Sequence, residues 1–75
     1  MRAREVNRAI ERAGGFKVRQ VGSHRRYRAT YTDESGREAR AETVVAQHPG
    51  DIPNGTLARI EADMAPAFGK GWLRR

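Results

Sequence analysis

The 75-residue sequence contains no cysteine. That excludes a disulfide framework and any thiolate metal centre, and it fits a reducing compartment. Histidine is almost as scarce: with only His24 and His48, three imidazole or thiolate ligands cannot be assembled around a metal. No apolar run approaches the ~20 residues that span a bilayer. The opening stretch MRAREVNRAI lacks the hydrophobic segment and small-residue cleavage site of a secretory signal. Neither a phosphate-binding Gly-x-x-x-x-Gly-Lys loop nor a dinucleotide fingerprint is present. Hydrophobic residues make up 37% of the chain, too few to enclose a large cofactor. At this length only about 60% of the unfolded surface can be buried. The expectation is one small, soluble, cytoplasmic domain with no metal, no cofactor and no membrane contact.

What is abundant is arginine. The formal net charge is +6, and its placement says more than its size. Residues 1–28 hold nine Lys and Arg against two Glu, a net of +7, while residues 29–75 are net −1. Such a one-sided field favours a polyanion, RNA or DNA, whereas the bland alternative is plain solubility.

Hydrophobic periodicity divides the chain. Val6, Ala9, Ile10 and Ala13 form one apolar stripe, predicting a helix over residues 3–14 that Gly14 and Gly15 stop. FKVRQV (16–21) and HRRYRATYT (24–32) alternate as strands, joined by the Gly22-Ser23 turn. Asp33, Glu34, Ser35 and Gly36 form a polar hairpin loop, and residues 37–46 make a third strand. Its register is open, because Val44 and Val45 face opposite ways. A second helix opens at Asp51 or Ile52, near Pro53, carries Leu57, Ile60 and Met64 on its apolar stripe, and is ended or limited by Pro66. The expected architecture is an α+β two-layer sandwich, α-β-β-β-α, with two helices on one face of a three-stranded antiparallel sheet. Phe16, Val18 and Tyr27 are expected beneath the helices. Lys17, Arg19, His24, Arg26 and Arg28 then face outward as a basic surface.

The chemistry concentrates in Gly22-Ser23-His24-Arg25-Arg26-Tyr27-Arg28. His24 begins a strand just after a turn, and an imidazole can exchange a proton near neutrality. Guanidinium groups beside it favour its neutral, base-competent form and can hold phosphate. RNA brings its own nucleophile, the 2′-hydroxyl, so cleavage without metal needs a base, a phosphate clamp and an acid. Lys17, Arg19, Ser23, Arg25, Arg26 and Arg28 are the candidate phosphate contacts, each with a solvated surface role as the alternative. Gly22 shapes the turn. His48 is either an acid partner or a loop anchor. Asp33, Glu34, Glu38 and Glu42 lie by the hairpin and are expected to be solvated. Trp72 is open between closing the core, stacking on RNA and docking a partner.

Two motifs together resemble the HicA family of bacterial toxins. The first is Gly15-Phe16, Val18-Arg19-Gln20 and Gly22-Ser23-His24 followed by Tyr27; the second is His48-Pro49, Asp51-Ile52-Pro53 and Gly55-Thr56-Leu57 with Ile60. The resemblance implies a double-stranded-RNA-binding-domain-like fold and an mRNA interferase, an endoribonuclease that arrests translation by cutting mRNA. It further implies a HicB-type antitoxin that covers the active site, and it places the family's catalytic histidine on His24. Residues 1–66 form the HicA-like domain, and 67–75 a C-terminal tail that compact members lack. Two alternatives remain: a non-catalytic RNA-binding module of the same fold, and an interaction protein whose basic surface meets an acidic partner.

Overall fold

In the computed structural model, which describes residues 1–74, the chain runs α1 (Ala3–Arg12), β1 (Phe16–Val21), β2 (His24–Thr32), β3 (Glu38–Ala46) and α2 (Asn54–Phe68). A short 3-10 turn, Trp72–Arg74, follows. The three strands form one antiparallel sheet in the order β1-β2-β3, giving the expected α-β-β-β-α arrangement.

Each element is held by identifiable chemistry. The Glu5 carboxylate accepts the Arg2 backbone N–H at 2.8 Å, satisfying a donor at the start of α1. Ala3, Val6 and Ile10 bury the apolar stripe, and buried Asn7 exchanges amide hydrogen bonds with Gln47 at 2.7 and 3.1 Å. Gly14, at φ +110°, turns the chain out of the helix. Gly15 then passes so close to α1 that a Cβ there would lie 2.5 Å from Ile10 Cγ2 and 3.2 Å from Phe68 Cζ.

The sheet resolves the register left open by sequence. Val45 pairs with Arg25 and is buried, whereas Val44 pairs with Arg26 on the opposite face. The core gathers Val6, Ile10, Tyr27, Val45, Ile60 and Met64, all fully buried, with Trp72 and Leu73 closing one side. Phe68 meets Trp72 edge-to-face with ring centroids 5.0 Å apart. Trp72 thus occupies the first of its three expected roles, and its Nε1 donates to the Glu61 carbonyl at 2.9 Å. Arg74 forks onto the Glu61 carboxylate at 2.7 and 3.3 Å. Arg75 lies outside the described residues.

Three expectations are corrected. Phe16 and Val18 do not pack beneath the helices: both are exposed and stand outside the core cluster. The helices cover β2 and β3, and a bulge between Lys17 and Arg19 breaks the alternation that would have turned Phe16 and Val18 inward. The second helix begins at Asn54, not at Asp51 or Ile52. Asp51 bridges Arg2 and the Ile52 N–H donates to the Met1 carbonyl at 2.8 Å, so both pair with the N-terminal segment. Pro66 does not end α2, which continues to Phe68. Ala67 and Phe68 pack against the core and hold the last turn, and Gly69 stops it, with its N–H donating to the Ala65 carbonyl at 2.7 Å.

Candidate nucleic-acid interface

Residues directly opposite in an antiparallel pair share a face. The register therefore reads out the open side of the sheet as three cross-strand rows: Val21-His24-Ala46, Arg19-Arg26-Val44 and Phe16-Arg28-Glu42. His24 opens the central strand and is exposed. Its imidazole makes no hydrogen bond or ion pair among the described residues. Arg19, Val21, His24, Arg26 and Val44 line a shallow concavity of about 310 Å³. Two guanidiniums, one imidazole and two apolar walls thus converge on one spot.

The turn that presents His24 is braced from both sides. Gly22 supplies φ +57°, which other residues rarely adopt. Gln20 Nε2 donates to the Gly22 carbonyl at 3.0 Å, while its Oε1 accepts from Arg25 Nε at 2.8 Å. Across the sheet, the Gln47 N–H donates to the Ser23 carbonyl at 2.7 Å. The Ser23 side chain is half-buried and its hydroxyl has no partner among the described residues. His48 follows Gln47 directly, two residues beyond Ala46, the Cα partner of His24. It is exposed on the loop beside the turn, and no hydrogen bond joins the two imidazoles.

The expected basic cluster divides. Arg19, Arg26 and Arg28 lie on the open face with His24, whereas Lys17 pairs with Tyr27 and Arg25 pairs with Val45, on the helix side. The expectation that Lys17 faces outward with His24 is corrected, and the bulge that follows Lys17 is again the reason. Arg25 Nη1 donates to the Tyr27 hydroxyl at 3.3 Å, and that hydroxyl donates to Glu11 Oε2 at 3.1 Å. Burial raises the Tyr27 phenol above its ordinary value, so it stays protonated throughout the neutral range.

Glu42 is the residue that sequence reasoning missed. Expected to be solvated, it instead accepts from Arg28 Nε at 2.5 Å and from Arg26 Nη1 at 3.2 Å. Its carboxyl is held below the ordinary value, chiefly by the Arg28 hydrogen bond, with Arg26 adding to the effect. One acid thus holds two arginines in a fixed fan on the open face. Placing Glu42 opposite Arg28 requires the register of β3, which the pattern of the sequence does not supply. Among the described residues no three His, Asp or Glu side chains converge as metal ligands would. No helix of the described residues is long and apolar enough to cross a membrane.

Over residues 3–65 the sequence matches the family described as the HicA toxin of bacterial toxin-antitoxin. Comparison with curated proteins and with solved structures gives no match.

Proposed function

The chain belongs to the HicA toxin family, and on that premise we propose that it is an mRNA interferase, a metal-independent endoribonuclease acting through His24. The observation that carries this is an exposed, unbonded imidazole one row from Arg19 and Arg26, lining the same concavity on an uncovered sheet. In this reading His24 removes the proton from a ribose 2′-hydroxyl. The 2′-oxygen attacks the adjacent phosphorus, and the bond to the 5′-oxygen of the next nucleotide breaks. The products are a 2′,3′-cyclic phosphate and a 5′-hydroxyl, the leaving oxygen taking a proton from His48 or from water. Arg19 and Arg26 hold the phosphate and offset the charge that builds on it. With these two guanidiniums beside the phosphate, the proposed step calls on no divalent cation. Ser23 and Gly22 shape the turn, and Arg28 extends the phosphate track along β2. Lys17 and Arg25, on the other face, serve a strand that bends around the β1 edge. A HicB-type antitoxin covers the open face and silences the enzyme.

Induced expression in a bacterial host tests the proposal. Growth and translation should stop, with cellular transcripts cut, and His24→Ala should abolish both at equal protein level. Intact transcripts together with a salt-sensitive RNA gel shift would identify a non-catalytic RNA-binding module instead.

A further inference from the structure

The open face carries more than charge. Phe16, Val18 and Val21 are the exposed large hydrophobic residues of the sheet, and all three lie on β1. Phe16 is 46% exposed, stands outside the buried core cluster, and shares a row with Arg28. A small protein with a thin core does not spare a phenylalanine readily, and an aromatic ring on a basic, uncovered sheet is a platform on which an unpaired base can stack. Arg28 is four residues from His24 along β2, which places the Phe16 row ~13 Å from the His24 row at ~3.3 Å per residue. The Arg26 row, with Arg19, lies midway between them.

We infer that Phe16 is a base-stacking subsite that binds an unpaired nucleotide some way along the strand from the phosphate cleaved at His24. The inference rests on the open face being the RNA face. The order of groups is base platform, guanidinium pair, then imidazole. This matches a single strand laid along β2 with its phosphates on the arginines and a base turned down onto the ring. A duplex would keep its bases stacked on one another, out of reach of the ring. The subsite therefore selects single-stranded segments and sets where along them the cut falls.

Because Phe16 lies outside the core, Phe16→Ala should fold as the parent does, which circular dichroism checks. The expected result is a KM for single-stranded RNA raised roughly tenfold with kcat little changed. Phe16→Trp should restore KM, whereas Phe16→Leu, apolar but without a π-face, should not. In His24→Ala protein, 2-aminopurine placed in turn at each position flanking the cut should be quenched at one position only, and Phe16→Ala should release that quenching. An unchanged KM with no Phe16-dependent quenching would overturn the subsite while leaving cleavage by His24 intact. Loss of cleavage in the parent protein with the quenching still present would overturn the enzymatic reading and leave the subsite standing.

Discussion

The His24 side chain makes no hydrogen bond that the fold uses, so His24→Ala removes a proton-transfer group at little structural cost. Its melting temperature should match the parent's, since an exposed substitution of this kind shifts stability by less than about 0.5 kcal/mol. Gly15 is the opposite case. It carries no chemistry, yet a methyl group there meets Ile10 Cγ2 at 2.5 Å and the Ile10 carbonyl at 3.1 Å. Gly15→Ala should therefore destabilise the domain by about 1–3 kcal/mol, measured by denaturant unfolding. From the sequence His24 stood out because a Gly-Ser turn, an imidazole and flanking arginines form a local signal. The tightness at Gly15 was invisible, because it depends on how the chain folds back against Ile10 at the end of α1 and on Phe68, which arrives from the far end of α2. The two glycines at 14 and 15 look alike as helix stops, but only the first supplies a positive φ and only the second a close approach.

Among the elements, β1 departed furthest from its pattern. Its limits, 16–21, were legible from alternation, but the bulge after Lys17 was not, and one unpaired residue is enough to change which face the neighbouring side chains take. The β2–β3 ladder was likewise legible in its limits and illegible in its register, which concealed the Glu42 fan. Replacing that acid gives a test. Glu42→Gln should free Arg26 and Arg28 for phosphate, tightening RNA binding several-fold and steepening the log–log salt dependence by about one unit. The same variant has an acid signature. Because the folded-state carboxyl lies below its ordinary value of 4.5, its stabilising contribution is complete above that pH. It is lost as pH falls through the lower, folded value. Thermal melts of the parent should decline in that acid range, and those of Glu42→Gln should decline less steeply. α2 shows a different limit of pattern reading: Pro66 marks a helix stop locally, but the packing of Ala67 and Phe68 carries the helix two residues further.

At the scale of the molecule, the segment after α2 closes the core. Trp72 and Leu73 are buried, Trp72 Nε1 is bonded to the Glu61 carbonyl, and Arg74 clasps the Glu61 carboxylate. Trp72→Ala should cost about 3–5 kcal/mol, a large share of what so small a domain can have, and should lower the melting temperature sharply or unfold the protein. Sequence patterning gave the layer order and the uncovered face, because these follow from helices that can cover only one side of a three-stranded sheet. It left the role of Trp72 open, because a large aromatic between glycines fits a core, a base and a partner equally well. The cleavage proposed for the RNA face depends on His24 moving a proton, and one experiment reaches that point directly. A long purified mRNA is incubated in EDTA with the parent protein or with His24→Ala, and the product ends are identified. Discrete cuts by the parent alone, bearing 2′,3′-cyclic phosphate and 5′-hydroxyl ends, are the expected result. Cuts by both proteins, or cuts by the parent only when a divalent metal is restored, would contradict it.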